Sequence, residues 1–263
     1  TPRFPQHVVP EGRIQRRDAV LFPNLVPYGS WSAVTTINRN HHVPLGSFPA
    51  EDWSAALENC LDLARRVRDT DPAVRWVAVT QNLLPPSGGA LFHPHLQVNI
   101  DHRPTGYHRA LLRSIECHPL GHDLPGRLAE DARAAGRHVG DSGEWTWFTP
   151  FAPLAPWEVQ GVWPVRRTVD DLVGAPLRDF VRGVLAIQRW QGERGRNAGN
   201  LALFLSLDTP CAMLARLNLR STYHPWYRSD QSVYQVGLQE AVTDMPPELL
   251  AERMRADFHP DPV

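Results

Sequence analysis

Asn82-Leu-Leu-Pro-Pro-Ser87-Gly88-Gly89-Ala90-Leu-Phe-His93-Pro-His95-Leu-Gln97-Val-Asn99-Ile100 is the stretch on which the reading of this chain turns. On an extended strand alternate side chains share a face. His93, His95, Gln97 and Asn99 therefore line one face, and Pro94, Leu96, Val98 and Ile100 line the other. One wall is polar and rich in imidazole; the opposite wall is core. The small residues ahead of it make a turn at which backbone N–H groups can approach an anion closely. Three readings of this strand are open. It is a half-exposed strand whose histidines do nothing special, or a metal site on His93 and His95, whose side chains point the same way. The third is nucleophilic catalysis, in which an imidazole held through one ring nitrogen attacks phosphorus with the other and Gln97 steadies the phosphoryl oxygens.

Outward from this strand the pattern occurs twice. Val34 to Asn38 reads as a strand, 49–68 as a helix with an acidic start at Glu51 and Asp52, Val74 to Thr80 as a strand and His93 to Ile100 as another. Residues 101–143 show little period beyond a weak helix near 125–137. A helix over roughly 170–190 follows, then strands at Asn200–Leu207 and Leu214–Arg220. Shifting the chain by 126 positions brings Phe22 onto Phe148, Pro27 onto Pro153, Trp31 onto Trp157 and Val43 onto Val169. The expected fold is α+β, with two similar halves at 19–143 and 144–263. The first 18 residues are expected to form a surface arm, and a helix from Pro246-Pro247 to Phe258 to pack outside. Laid over Phe92–Val98 by shape, Leu214–Arg220 offers Arg216, Asn218 and Arg220 on one face but no imidazole. It is either a solvated basic face or a non-catalytic counterpart contributing packing or Arg contacts to substrate.

Composition removes several chemistries. All 27 basic residues are Arg. With no Lys, a pyridoxal Schiff base, a phosphate-loop Lys and a Lys general base are excluded. The net charge of −1 gives no basic field for nucleic acid. No apolar run approaches the roughly 18 residues that span a bilayer, and Thr1–Pro5 carries no signal-peptide pattern. Cys60, Cys117 and Cys211 are odd in number and scattered, which argues against a disulfide framework and for a cytoplasmic setting. His118 and His122 beside Cys117 read as an ordinary loop, His102 and His108 as surface residues, and Arg65, Arg66 and Arg68 as the outer face of a helix.

The motif His93-Pro-His95-Leu-Gln97, with Asn82 eleven positions before its first His and a Gly-rich turn between, resembles the active-site segment of the galactose-1-phosphate uridylyltransferase-like family. That family belongs to the histidine-triad superfamily. Leu21–Tyr28 with His41-His42-Val-Pro-Leu45 resembles its nucleotide-binding region, Glu144–Glu158 the start of its second half, and Tyr227-Arg228-Ser229 through Val236-Gly237 its C-terminus. The resemblance covers most of 19–258. It implies two histidine-triad-like halves with antiparallel sheets flanked by helices. It also implies that His95 is the nucleophile that becomes nucleotidylated, that Gln97 and Asn82 contact the phosphates, and that Asn24 lies at the nucleoside. Ser87, Gly88 and Gly89 make up the phosphate turn.

The first His of the motif ligates a metal in several members, which here pairs His93 with His41, and zinc is the metal they would hold. The Cys-x-x-Cys that completes such a site is absent, so no metal is expected to be required, and His93 is expected to orient His95. The second half carries no His-x-His pair. The Gly-aromatic-Glu that holds the hexose reads Gly237-Leu238-Gln239, making Gln239 the candidate substrate contact beside Arg216 and Arg220. Hydrolases of the superfamily carry a third His where this chain has Gln97, which favours transfer over hydrolysis.

The resulting expectation is a nucleotidyltransferase that moves a nucleoside monophosphate, UMP first among them. The group passes between a nucleoside diphosphate sugar and a phosphorylated acceptor through a covalent nucleotidyl-histidine. The alternatives are a phosphorylase acting on an ADP-sugar or dinucleoside polyphosphate, and a non-catalytic nucleotide-binding protein. Family members are often dimers, so a homodimer is part of the expectation.

Overall fold

The computed structural model describes residues 2–90, 92–224, 226 and 233–260. The first half contributes β1 (Ile14–Arg16), β2 (Ala19–Pro23), β3 (Trp31–Thr36), α1 (Ala50–Thr70), β4 (Trp76–Leu83) and β5 (His95–Asp101). After α2 (Gly106–Cys117) and α3 (Leu124–Ala134) the same order returns, with β6 (His138–Ser142), β7 (Trp145–Phe148), β8 (Val159–Arg167), α4 (Ala175–Glu193), β9 (Gly199–Ser206) and β10 (Cys211–Leu219). Short α5 (Val233–Val236) and α6 (Pro247–Arg255) close the chain.

All strands pair antiparallel in one sheet, in the order β1-β2-β3-β5-β4-β9-β10-β8-β7-β6. That order is symmetric about the β4–β9 junction. The register makes the symmetry exact to the residue: Phe22, Val34, Gln97, Thr80, Ala202, Arg216, Gln160 and Phe148 stand side by side in a single row across the sheet. The 126-residue offset from Phe22 to Phe148 is thus a true spatial correspondence. The overlay of Leu214–Arg220 on Phe92–Val98 is corrected by the same register. Gln97 corresponds to Arg216, whereas the overlay sets His95 opposite Leu217, on the wrong face. The overlay is three positions out of step, and an odd slip turns every side chain over.

Each face of the sheet has its own cover. α1 and α4 pack on one face, because each carries an apolar stripe at helical spacing: Trp53, Leu57, Leu61 and Ala64 on α1, and Leu177, Phe180, Val184 and Ile187 on α4. They bury Ala33, Val79, Leu96, Val98, Leu203 and Ala215. On the other face, α2 and α3 cover chiefly the second half, where Ala129 and Ala132 meet Phe148, Val162, Phe204 and Leu214. Val34, Gln97 and Thr80 of the first half stay half-buried.

Three expectations are revised. The N-terminal arm is not a surface appendage: Phe4, Val8, Val9 and Ile14 join the main core and β1 pairs with β2. Residues 101–143 hold two helices where one weak helix was expected. α2 buries only His108 and Ile115 along its length, too thin a stripe to read. His108 is a buried residue, 3% exposed, because α2 presses it against Trp76 and Phe204. Arg65, Arg66 and Arg68 do sit on the outer face of α1, in ion pairs with Asp170, Asp62 and Glu11.

Candidate active site

His95 opens β5, opposite Thr36 of β3. The residue is 8% exposed, and Nδ1 lies 2.8 Å from the backbone oxygen of His93. A carbonyl only accepts, so Nδ1 carries the proton, and in the neutral ring Nε2 keeps its lone pair. Local chain geometry therefore selects the tautomer a nucleophile needs. It is the main chain of His93, not its ring, that orients His95.

The His93 ring is used elsewhere. Nε2 donates to the Asn38 carbonyl at 2.8 Å, which leaves Nδ1 as an acceptor facing His41 Nδ1 at 3.2 Å. Asn38 is itself fixed, donating to Asp52 at the start of α1 and accepting from the Asn40 amide. No third His, Cys, Asp or Glu joins the two imidazoles in a metal-holding group among the described residues. Structural zinc takes four ligands, so this donor set does not fit one.

Asn82 stands near the end of β4, where β5 and β9 flank that strand. Its Oδ1 accepts from Asn200 Nδ2 at 2.7 Å, and the same Nδ2 donates to the Ser87 carbonyl at 2.8 Å. The turn that follows is tight. Gly88 has φ of 88°, a left-handed value that favours glycine, and a Cβ on Gly89 would come within 2.8 Å of the Asn82 backbone oxygen. The amides of Ser87, Gly88 and Gly89 all bond inside the turn, to Leu84, Pro85 and Leu84. Ser87 Oγ faces the Leu83 and Leu84 carbonyls at 2.7 Å. These three residues shape the turn, and their backbone donors bond within it.

Gln97 lies one alternate position beyond His95 on the same face, half-buried in its row. Asn24 is further off. Its amide bonds to Ser32, four positions from Thr36, a separation of roughly 13 Å along the strand at about 3.3 Å per residue. Its Oδ1 caps the turn at Val26.

Arg216 is engaged within the protein. Its Nε and Nη2 grip Glu158, each at 2.9 Å, while its guanidinium lies 4.2 Å from the Tyr107 ring centroid. Burial would lower the Arg216 pKa, but Glu158 outweighs it and the pKa is raised. Arg220 reaches the Asn200 Oδ1 at 3.3 Å and so stands behind Asn82. Gln239 sits on an exposed turn after α5, with φ of 57°. Tyr227, Arg228 and Ser229 lie outside the described residues. Asn200 and the Asn38 carbonyl were not singled out in the sequence; only the pairing of β4 with β9 and the bend before β5 bring them to the site.

This sheet, with one imidazole-bearing face left open, has the fold of a solved uridylyltransferase and of a galt-like protein from Arabidopsis thaliana. A solved uridylyltransferase superposes with a TM-score of 0.78 at 19% identity, over 93% of this chain and 86% of that one. ADP-glucose phosphorylase from Arabidopsis thaliana, solved with bound ADP-glucose, gives 0.71 at 13% identity, over 90% and 82%. By sequence, an uncharacterised protein of Archaeoglobus fulgidus is 27% identical over 252 residues, 93% of this chain and 74% of that protein. No family model matches the chain.

Proposed function

We propose that this chain is a nucleotidyltransferase that carries its nucleotidyl group on His95. The observation behind the proposal is the Nδ1–H bond to the His93 carbonyl, which leaves Nε2 as the lone-pair nitrogen on the open face. In the first half-reaction Nε2 attacks the α-phosphorus of a nucleoside diphosphate sugar, UDP-sugar first among them. The N–P bond forms, the bond to the bridging oxygen breaks, and the sugar phosphate leaves with that electron pair. Asn82 Nδ2 and Gln97 donate to the phosphoryl oxygens, where charge builds up in the transition state. In the second half-reaction an oxygen of a phosphorylated acceptor attacks phosphorus and the imidazole departs. No proton is demanded of Gln97, an amide that has none to give at neutral pH.

With inorganic phosphate as acceptor the same site would be a phosphorylase. The second half-reaction separates the two: the adduct is discharged by a sugar phosphate in one case and by phosphate, releasing nucleoside diphosphate, in the other. A nucleotide-binding protein without catalysis would bind and form no adduct.

The test is intact-protein mass spectrometry after incubation with UDP- and ADP-sugars. We expect an acid-labile gain of one nucleoside monophosphate, absent in His95→Ala. Since two imidazoles do not make a four-ligand shell, labelling is expected to survive exhaustive chelation. An unchanged mass with every nucleotide sugar overturns the covalent route, and labelling that is lost on chelation and restored by zinc overturns the metal-independent one.

A further inference from the structure

We propose that Asn200, from the half without a catalytic histidine, is a positioning residue that dictates which end of the Asn82 carboxamide faces the phosphates. The inference rests on the reading of His95 as the nucleotidyl carrier. It follows from what each partner is able to do. Arg220 can only donate, so the Asn200 atom that meets it at 3.3 Å is the oxygen. The Ser87 carbonyl can only accept, so the Asn200 atom 2.8 Å from it is the nitrogen. These two neighbours fix the Asn200 amide with no freedom to flip. Its second N–H then points at Asn82, 2.7 Å away, and the atom it meets there is an acceptor. Asn82 Oδ1 is thereby held against β9, and its Nδ2, with two hydrogens, is the end left for a ligand.

The order of dictation runs from a fixed cation to a ligand donor: Arg220, Asn200, Asn82. Without it, an Asn82 amide could turn its oxygen toward an anionic phosphoryl group, and attraction would become repulsion. Asn82 and Asn200 are also direct cross-strand partners at the junction of the two halves. The second half thus contributes to the site by aligning a donor, not by touching substrate.

Asn200→Asp is the informative variant. The carboxylate is the same shape and still accepts from Arg220, but it can no longer donate to Asn82 or to the Ser87 carbonyl. Asn82 is expected to flip, giving its N–H groups to the new carboxylate and its oxygen to the phosphates. The expected result is a loss in kcat on the order of a hundredfold, the size seen when a transition-state donor is removed. Thermal midpoint should stay within a few degrees of the parent, and nucleotide affinity in the ground state should fall less than kcat. Asn82→Ala should lose a similar factor, and the double variant no more than either alone, because both remove one donor.

Multiplying losses in the double variant, or an Asn200→Asp enzyme as active as the parent, would overturn the proposal. Should Asn200→Asp melt early, Asn200→Ser, which can still donate one hydrogen, takes its place; it should retain more activity than Asn200→Ala at equal stability. His95→Ala serves as the control. If it still forms adduct, the reading of His95 is wrong; if it forms none while Asn200→Asp is unaffected, only the role of Asn200 falls.

Discussion

His108 is wedged between the rings of Trp76 and Phe204, at centroid distances of 5.0 and 5.4 Å, and burial drives its pKa from 6.5 down to about 4. The unfolded chain takes up this proton near pH 6.5, while the folded chain refuses it until about pH 4. Stability from this residue is therefore complete above pH 6.5 and is lost as pH falls from 6.5 to 4, by up to roughly 3 kcal/mol at about 1.4 kcal/mol per pH unit. Denaturant unfolding at pH 7.5 and 4.5 should show that decline, and His108→Phe should flatten it. The carboxylates of Asp62, Asp141 and Asp170 are held below their usual value by neighbouring donors, Arg among them, against the opposing effect of burial; their loss belongs to a lower pH window. Nothing around His108 in the sequence marks it as buried. His95 was legible for the opposite reason: alternation along one strand sets its face, and face is a local property. That its Nδ1 would meet the His93 carbonyl depends on the bend before β5, which spacing does not encode.

At the scale of elements, Arg216 shows how the two related strands diverge. β5 presents His95 and Gln97 to an open face; β10 presents Arg216 to a face closed by α2. Glu158 is 1% exposed and takes two bonds from Arg216, one from the Leu154 amide and one from Gln160. Arg216→Met would leave that carboxylate buried and unpaired, a loss of about 3–5 kcal/mol in unfolding free energy. Activity per folded molecule is expected to stay near that of the parent. Catalytic loss without destabilisation would return Arg216 to the substrate. The long amphipathic helices α1 and α4, and strands β4, β5, β9 and β10, were readable because each buries a periodic stripe. β8 was not, with Gly161 and Pro164 interrupting it. Nor was three-residue β1, whose place is set by pairing with β2 alone.

Across the whole molecule, two halves of like topology meet in one sheet and differ in chemistry. The row that carries Gln97 on one side of the junction carries Arg216 on the other. One nucleotidyl group per chain is therefore expected at saturation, a number that quantitative labelling of pure protein would check. Two per chain would mean that the second half has a carrier of its own. The repeat was legible from four matched positions and a recurring element order; the mirrored strand order was not, because pairing of β4 with β9 joins residues more than a hundred positions apart.

The β4–β9 seam runs unbroken from Trp76 opposite Ser206 to Leu83 opposite Gly199. A hinge needs a line along which few bonds must break, and here that line is stitched along its length. The two halves are therefore not built to open like a clamshell. The seam works as a keyed joint. Its teeth mesh in a single way, and in that setting Asn200 lands beside Asn82.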